Sequence, residues 1–326
     1  MDIKSVQEYL GGDWSAVQER IASVLQSDIA LLNATNSSIL SQSGKQLRPM
    51  LALMFARACA GKATDASVRY AAAAELLHNA TLLHDDVADG SEMRRGKPTI
   101  MSLMGPSVSV LLGDYWLVKA MELILGDSVH DTKAIRIFSK TLSDLAEGEM
   151  LQLQKAQSGD TNEEDYLRII YNKTASLFEA ACVTAALSVD GTAEQMGAAK
   201  DYAVALGLAF QIKDDILDYA GTESVGKPLG VDILEQKITM PLLGALQNVS
   251  VQEQERVRGM IKDIAGKPDL RDDIVRFVKE NGGLEYAVKR LEEYVEVAVR
   301  ALDVLPMSKE KDCLVQLAHY TALRDK

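Results

Sequence analysis

Two short acidic patterns with the same spacing are the residues of this sequence best suited to chemistry. Residues 85–89 form one D-D-x-x-D pattern, and residues 214–218 form another. Residues four apart on a helix lie on one face, roughly 6 Å from each other. Oxygen ligands select a hard divalent cation, and Mg²⁺ commonly shares its sites with substrate phosphates. The two patterns therefore predict magnesium ions that bind a phosphorylated substrate.

The alternative interpretation is that each acidic pattern is only a solvated helix face. A chain with 47 acidic residues contains such faces by composition alone, so one pattern by itself would not indicate a site. Both copies, however, follow an apolar helical stretch, and carboxylates near a helix C-terminus oppose the helix dipole unless a cation compensates them. The repetition and the unfavourable position together favour metal binding.

Basic residues accompany both acidic patterns. Lys45 and Arg48 stand three apart at a predicted helix start, where Pro49 suits the first turn and backbone N–H groups favour an anion. Arg94 and Arg95 follow the first pattern, and adjacent guanidinium groups offer forked donors to phosphate oxygens. A single basic residue is usually a surface residue, but this distribution predicts a site for two diphosphates. The remaining candidates are Lys173 and Thr174 within a helix, and Lys227 and Lys237 around the loop after the second pattern.

The elements that must position these groups are predicted to be helices. Residues 14–25, 167–181 and 286–305 carry apolar side chains at spacings of three and four, as amphipathic helices do. Glycine and proline interrupt the periodicity, residues 90–98 are predicted as a loop, and no segment reads convincingly as a strand. No abrupt change of composition marks a domain boundary. We therefore predict an all-α fold with ten or more helices in a single domain over residues 1–326.

The composition narrows the function classes. The net charge is -12, which argues against nucleic-acid binding by bulk electrostatics but allows an anionic substrate in a locally basic cleft. Three widely spaced cysteines without metal-ligand spacing fit reduced thiols in a cytoplasmic protein. No apolar stretch reaches about 18 residues, so no membrane span is expected, and the N-terminus shows no signal-peptide pattern. Peripheral membrane contact during product release stays open.

The motifs around these residues resemble those of the trans-isoprenyl diphosphate synthase, or polyprenyl synthetase, family. The resemblance is clearest over residues 44–242 and rests on G-K-Q-L-R-P, E-L-L-H-N-A-T-L-L-H-D-D-V-A-D, M-R-R-G-K-P-T, L-L-G-D, E-G-E, N-K-T-A-S-L-F, and F-Q-I-K-D-D-I-L-D followed by G-K-P-L-G-V-D. Together these motifs are highly specific. Gln236 precedes Lys237 where the family usually has glycine, a difference that bears on the local backbone shape and not on the chemistry.

The resemblance implies a long-chain member of the family with an isoprenoid synthase fold, in which helices surround a central cavity, and a homodimer. It implies a prenyltransferase that joins isopentenyl diphosphate head-to-tail to an allylic diphosphate such as farnesyl diphosphate. Mg²⁺ assists the ionisation of the allylic diphosphate in such a reaction. The resulting carbocation requires a dry, apolar site.

The resemblance also assigns roles to individual residues. The metal ligands are Asp85, Asp86, Asp89, Asp214 and Asp218, and the catalytic residues are Asp85, Asp89, Lys173 and Asp214. Isopentenyl diphosphate is assigned to Lys45, Arg48, His78 and Arg95, and the allylic diphosphate to Arg94, Lys173, Thr174, Gln211, Lys227 and Lys237. For His78 a core role is the alternative, but its position seven residues before Asp85, on the same helix face, favours the ligand role.

Product length is predicted from the helix that precedes Asp85. Residues four, five, eight and eleven positions before Asp85 are expected to line the space beneath it, and they are Thr81, Ala80, Leu77 and Ala74. Short-chain members of the family typically have bulky aromatic residues at the first two positions, and here both are small. Ala74 would lie roughly 16 Å below Asp85, which predicts a product of about C30 to C50. The alternatives are that the small residues only permit close helix packing, or that Phe138 or Leu145 closes the tunnel.

Two other function classes compete with this interpretation. A terpene cyclase shares the helical fold and one acidic motif, but it normally lacks the second D-D-x-x-D and the G-K-x-x-R-P motif that are both present here. A non-catalytic partner subunit of a heteromeric synthase would be a binding and regulatory protein. Such subunits typically lose acidic ligands, whereas residues 85, 86, 89, 214, 215 and 218 are all aspartate in this chain. Because the site residues decide function, the enzyme is favoured over both.

Overall fold

Helices make up nearly all the regular structure of this chain, as predicted. The computed structural model describes residues 3–41, 44–94, 96–220 and 230–324. The helices in chain order are α1 (Ile3–Leu10), α2 (Gly12–Val24), α3 (Ala30–Leu40), α4 (Leu47–Ala60), α5 (Asp65–Ala88), α6 (Ile100–Met104), α7 (Pro106–Ile124), α8 (Asp131–Ser158), α9 (Glu163–Ile170), α10 (Ser176–Leu187), α11 (Ala193–Ala220), α12 (Val231–Leu234), α13 (Met240–Gln247), α14 (Val251–Asp263), α15 (Leu270–Glu280), α16 (Gly283–Ala301) and α17 (Lys309–Leu323). The described residues also include a π-helical turn (Tyr171–Ala175) and a 3₁₀ turn (Leu302–Val304).

The chain divides into two compact units, each assembled from separate stretches of sequence. Unit 1 comprises Met1–Ser139, Glu179–Lys200 and Val304–Leu314, and unit 2 comprises Lys140–Phe178, Asp201–Asp303 and Val315–Lys326. Each unit is discontinuous in sequence, so neither corresponds to a segment that could be cut from the chain. Within the described ranges no helix is sufficiently long and apolar to cross a membrane.

The core of unit 1 is built on α4 and α5. Thr64 and Ser67 form a capping box at the start of α5, in which each side chain accepts a hydrogen bond from the backbone N–H of the other. Every residue from Ala66 to Leu77 is buried, and four consecutive alanines within this run leave room for close packing. Gly113 of α7 faces the other end of α5, because a Cβ there would come within 2.3 Å of His84 Nε2. Glycine at this position therefore allows α7 to hold the end of α5.

A buried carboxylate ties α5 to the loop after α7. Asp131 accepts hydrogen bonds from Tyr70 Oη at 2.5 Å and Arg69 Nη2 at 3.1 Å, and from the backbone N–H groups of Gly126 at 2.7 Å and Ser128 at 3.1 Å. Burial alone would raise the pKa of Asp131, but these hydrogen bonds outweigh it and the pKa is lowered. The ionised form of Asp131 therefore stabilises the folded state.

We expect the substitution Asp131→Asn to lower the free energy of unfolding by about 3 kcal/mol at neutral pH, because it leaves the buried Arg69 guanidinium with only the exposed carboxylate of Asp65 as a charged partner. A lowered folded-state pKa stabilises the protein above the unfolded-state value and loses that effect as the pH falls through the folded-state value. The difference from the parent protein should therefore shrink in acid. Urea unfolding at pH 7 and at decreasing pH measures it. Asp263→Asn, in an exposed pair with Lys267, is the control and should change little; an equal loss for both variants would contradict the prediction.

The prediction that residues 90–98 form a loop without strands is partly wrong. Two short antiparallel strands, β1 (Met93–Arg94) and β2 (Lys97–Pro98), pair with Met93 opposite Pro98 and Arg94 opposite Lys97. Gly96, in the turn between the strands, has a φ of 74°, a conformation that glycine adopts without a steric penalty. Two-residue strands carry no recognisable alternation, so the hairpin was not evident from the sequence.

Unit 2 is centred on α13, whose residues Met240 to Leu246 are all buried. A Cβ on Gly244 would lie 2.6 Å from Tyr286 Cβ, so glycine permits α13 to pack closely on α16. The sequence pattern over residues 167–181 predicts an amphipathic helix, and the segment is helical throughout, but it contains a π turn that the pattern did not indicate. The chain forms α9, then the π turn Tyr171–Ala175, then α10. Such π turns occur frequently at functional sites.

Candidate active site

The first acidic pattern lies at the C-terminal end of α5, in unit 1. The backbone N–H of Asp89 donates to the Asp85 carbonyl at 2.8 Å and extends the last turn. Asp85 is half-buried and Asp89 is exposed, whereas Asp86 is buried. Asp86 Oδ1 accepts a hydrogen bond from Arg94 Nε at 2.8 Å. Asp86 therefore anchors the hairpin that carries Arg94, and two predicted ligands contact each other.

Residues on α7 hold this end of α5 in place. His84 Nε2 lies 3.2 Å from Asp114 Oδ1, and the Ser109 hydroxyl donates to the Leu83 carbonyl at 2.8 Å. Asp114 belongs to the L-L-G-D motif, whose Gly113 makes room for the His84 ring. This motif therefore acts on the first acidic pattern through the residue immediately before Asp85.

The residues predicted to bind isopentenyl diphosphate lie in unit 1, at the start of α4 and on α5. α4 begins with Pro49 in its first turn, as predicted. Lys45, Arg48 and His78 are half-buried, and Arg95 lies outside the described residues. Their assignment to isopentenyl diphosphate stays a prediction.

The four residues predicted to set product length differ in exposure. Ala74, Leu77 and Ala80 are fully buried within unit 1, and Thr81 is half-buried. The Thr81 hydroxyl donates to the His78 carbonyl at 2.9 Å, so it is occupied within its own helix. Complete burial of Ala74 and Ala80 is compatible with close helix packing, and their role in product length stays a prediction.

The second acidic pattern lies in the last turns of α11, in unit 2, and its three carboxylates have different partners. Arg324 Nη2 donates to Asp214 Oδ1 at 2.6 Å and to the Phe210 carbonyl at 2.9 Å. The Arg324 guanidinium also stacks over the Phe210 ring at 3.9 Å from its centroid. Arg324 follows α17, so the C-terminal end of the described chain reaches this acidic pattern.

Asp218 organises the segment that follows α11. Its Oδ1 accepts from the Val231 N–H at 3.1 Å and its Oδ2 from the Asp232 N–H at 3.2 Å. The Asp218 carbonyl accepts from the Gly230 N–H at 2.9 Å. Val231 and Asp232 are the first residues of α12, so Asp218 satisfies N–H groups that have no partner within that helix.

Asp215 faces inward, unlike Asp214. It is 2% exposed, and Tyr166 Oη donates to its Oδ2 at 2.5 Å while Gln211 Nε2 donates to its Oδ1 at 3.1 Å. The Thr174 hydroxyl donates to Gln211 Oε1 at 3.1 Å. One chain of hydrogen bonds thus joins Thr174, Gln211, Asp215 and Tyr166.

Burial shapes the electrostatics next to this network. Burial raises the pKa of Asp215 well above its usual range, and the charge of nearby Asp232 raises it further. Burial likewise raises the pKa of Asp232 to about 6, and the charge of Asp218 adds to the effect. Lys237 Nζ lies 4.0 Å from Asp232 Oδ1, and the lysine charge partly offsets the rise by lowering the pKa of Asp232. An incoming cation would relieve the repulsion between these carboxylates and favour their ionised forms.

The π turn places Lys173 and Thr174 between two glycine-containing helices. A Cβ on Gly148 of α8 would lie 2.7 Å from Asn172 Cβ, and a Cβ on Gly207 of α11 would lie 2.6 Å from Ala175 Cα. Both helices therefore approach the turn more closely than a residue with a side chain at position 148 or 207 would allow. Gly148 is the centre of the E-G-E motif, and its neighbour Glu149 pairs with Lys173 at 2.5 Å between Oε1 and Nζ.

Gln236, which stands where the family usually has glycine, adopts a backbone conformation typical of glycine. Gln236 has a φ of 59°, the left-handed conformation that glycine adopts without penalty. Its side chain compensates, because Nε2 donates to the Lys262 carbonyl at 3.0 Å. Lys237 follows directly and pairs with Glu235 and Asp232. Lys227, the other predicted basic residue of this segment, lies outside the described residues.

A cavity in unit 2 brings several predicted residues together. Lys173, Gln211 and Lys237, all assigned to the allylic diphosphate, line it with Asp215 and Asp232. The two lysines can neutralise the charge of a phosphate, and the amide can orient its oxygens by hydrogen bonding. The cavity therefore has the donors that an anionic ligand requires.

The carboxylates fit a metal that the substrate helps to hold. Among the described residues, no group of three or more His, Cys, Asp or Glu side chains is arranged to hold a metal ion by itself. Mg²⁺ is usually held by one or two carboxylates, with phosphates and water completing its shell. Asp85 with Asp89, and Asp214 with Asp218, supply oxygen donors of the kind that this ion prefers.

Three residues that surround the second acidic pattern were not predicted from the sequence. Tyr166 and Arg324 contact its carboxylates directly, and the charge of Asp232 raises the pKa of Asp215. Asp232 stands in the G-K-P-L-G-V-D motif and could have been noticed there. Tyr166 lies in α9, 49 residues before Asp215, and Arg324 lies 110 residues after Asp214, so no local sequence pattern linked either residue to the acidic pattern.

Comparison with known proteins agrees with the motifs. The sequence matches the polyprenyl synthetase family over residues 29–278. It is 38% identical to the octaprenyl diphosphate synthase of Escherichia coli (strain K12), over 327 residues that cover 100% of both chains.

Two solved structures are similar over the whole chain. One is a decaprenyl diphosphate synthase from Rhodobacter capsulatus, with a TM-score of 0.90, 35% identity and coverage of 100% of both chains. The other is a polyprenyl synthase from Caulobacter crescentus CB15 complexed with calcium and isoprenyl diphosphate, with a TM-score of 0.89, 33% identity and coverage of 100% of this chain and 98% of that chain. The motifs, the helical fold and these similarities show that the chain belongs to the polyprenyl synthetase family.

Proposed function

We propose that this protein is a prenyltransferase that condenses isopentenyl diphosphate with an allylic diphosphate, such as farnesyl diphosphate, to make a long-chain all-trans polyprenyl diphosphate. The cavity of unit 2 carries the proposal, because Lys173, Gln211 and Lys237 converge there beside the second acidic pattern. Both acidic patterns retain every carboxylate, which favours an enzyme over a non-catalytic partner subunit. The second pattern and the G-K-Q-L-R-P motif disfavour a terpene cyclase.

The reaction exchanges one C–O bond for one C–C bond. The allylic C–O bond breaks and its electron pair leaves with pyrophosphate, which leaves a carbocation. The double bond of isopentenyl diphosphate supplies the pair for the new C–C bond, and loss of a proton to the released pyrophosphate restores an alkene. Mg²⁺, when bound, supplies positive charge that favours departure of the pyrophosphate. The product keeps a diphosphate and is one isoprenoid unit longer, so the cycle repeats.

The chain's own residues hold the two diphosphates and neutralise them. In this proposal Asp85, Asp86, Asp89, Asp214 and Asp218 bind Mg²⁺, and Arg94, Lys173, Thr174, Gln211, Lys227 and Lys237 hold the allylic diphosphate. Lys45, Arg48, His78 and Arg95 hold isopentenyl diphosphate. Lys173 is paired with Glu149, and Arg94 with Asp86. A diphosphate would compete with these carboxylates, and its greater charge would favour the exchange.

An exposed apolar stripe supports a homodimer. Leu103, Leu111, Val118 and Leu125 are all more than half exposed, and they recur at intervals of seven or eight along α6 and α7. The interval of seven places Leu111 and Val118 on one side of α7, while Leu103 lies on α6 and Leu125 directly follows α7. Exposed apolar surface of this kind marks interaction sites. A second copy of the chain would cover the stripe. Cys182 and Cys313 are buried free thiols, which fits the proposed cytoplasmic location.

The proposal is tested by incubating the protein with isopentenyl diphosphate and farnesyl diphosphate and reading product length by mass spectrometry. We expect a ladder that ends at about C30 to C50, because the small residues at positions 80 and 81 leave room for the chain to grow. Removal of Mg²⁺ with EDTA should stop elongation, and added Mg²⁺ should restore it. A product that stays at C15 or C20 would reject the long-chain assignment. Absence of elongation with every allylic primer would favour the partner-subunit alternative.

A further inference from the structure

Asp215 has no assigned role, yet its surroundings are specific. Both of its oxygens accept hydrogen bonds from protein groups, from Tyr166 at 2.5 Å and from Gln211 at 3.1 Å. Asp215 is 2% exposed and Tyr166 is 3% exposed, so this contact is shielded from water. A buried carboxylate without such donors would be costly. The contact therefore holds the inner face of α11 in a single orientation.

We propose that Tyr166 is a positioning residue for the allylic diphosphate site. It acts through Asp215, which in turn holds the Gln211 amide and the turn of α11 that carries Asp214 and Asp218. This inference rests on the proposed function, because it concerns the same site.

The helix geometry explains why one contact can place several groups. Successive residues of a helix are separated by about 100° around its axis, so fixing Asp215 inward fixes the directions of Asp214 and Asp218. Gln211 is one turn before Asp215 and lies beside it. With Gln211 Nε2 donating to Asp215, its Oε1 is left to accept the Thr174 hydroxyl at 3.1 Å.

Tyr166 is well suited to act as a fixed donor. It lies on α9, whose start is secured by a capping box between Asn162 and Asp165. Its hydroxyl has one carboxylate partner and its ring is buried, so the donor cannot turn elsewhere. Without that hydroxyl, Asp215 Oδ2 would lose its hydrogen bond from Tyr166, and the turn of α11 would lose its fixed orientation.

The substitution Tyr166→Phe removes only this donor. Groups that orient a metal site from outside its direct ligands typically contribute about 10–100-fold to activity or metal affinity. We expect kcat/KM for the allylic substrate to fall by that factor, while KM for isopentenyl diphosphate stays unchanged. The thermal stabilisation produced by Mg²⁺ with inorganic pyrophosphate, a readout that needs no turnover, should shrink as well.

Tyr286→Phe is the matched control. Tyr286 Oη donates to Glu163 Oε2 at 2.6 Å in the same unit, so this variant also loses one tyrosine–carboxylate hydrogen bond. Glu163 keeps its ion pair with Arg290 at 3.1 Å, which leaves α9 anchored. Both variants should lose some thermal stability, but only Tyr166→Phe should change the allylic kinetics and the response to Mg²⁺ with pyrophosphate.

A double variant tests whether Tyr166 acts through Asp215. If it does, Tyr166→Phe combined with Asp215→Asn should be no more impaired than Asp215→Asn alone, because both changes break one contact. Additive losses, or a Tyr166→Phe variant that behaves like Tyr286→Phe, would overturn the inference while the parent protein still elongates. Failure of the parent protein to elongate would instead reject the proposed function.

Discussion

The substitutions Asp85→Asn and Asp214→Asn are each expected to lower kcat/KM by about 10²–10³-fold or more, the loss that follows removal of one group that stabilises transition-state charge. Asparagine keeps the size of aspartate but removes the negative charge that binds Mg²⁺. Asp85 is half-buried at the end of α5, and Asp214 retains 43% exposure of its side chain. Asp85→Asn should change the free energy of unfolding little, whereas Asp214→Asn should lower it, because it also removes the charged partner of the buried Arg324 guanidinium.

Steady-state rates at increasing Mg²⁺ concentration measure this loss, and urea unfolding checks the fold. Asp201→Asn is the matched control, because Asp201 is an exposed carboxylate on α11, the helix that carries Asp214. We expect that control to keep the parent rate. Near-parent activity in Asp85→Asn or Asp214→Asn would contradict the metal-ligand assignment of the residue concerned.

The substitution Gly207→Ala is expected to lower the free energy of unfolding by about 1–3 kcal/mol, the usual cost of overpacking. The new Cβ would lie 2.6 Å from Ala175 Cα, and a backbone atom cannot turn aside as a flexible side chain does. The π turn must then shift, and it carries Lys173 and Thr174. A displacement of about 1 Å in such groups can lower activity about 10²-fold, so kcat/KM should fall by that order.

Gly259→Ala provides the matched control for this steric effect. Gly259 lies in α14 of the same unit, and a Cβ there would meet nothing within 4 Å. The control should gain up to about 1 kcal/mol, because alanine has the higher helix propensity. Urea unfolding and steady-state kinetics of both variants give the comparison. Equal stability and activity in the two variants would show that the close approach of α11 to the π turn has no functional importance.

The helical fold and the family of this chain follow from local patterns, and both predictions are confirmed. Apolar spacing of three and four marked the helices, and the position of Pro49 indicated the start of α4. The residues for which sequence reasoning failed are those whose behaviour depends on a second segment. The π turn at Tyr171–Ala175 has the composition of a helix, but it forms where Gly148 and Gly207 bring two other helices close.

The sequence by itself determined the types and the spacing of the catalytic candidates, since D-D-x-x-D and the paired basic residues are visible in one dimension. Only the tertiary structure decided what each aspartate contacts. Asp214, Asp215 and Asp218 are alike in the sequence, but they contact Arg324, Tyr166 and the start of α12 respectively. A helix turns each successive side chain toward a different environment. The folded chain supplies those environments from segments that are distant in sequence, so the local pattern cannot reveal them.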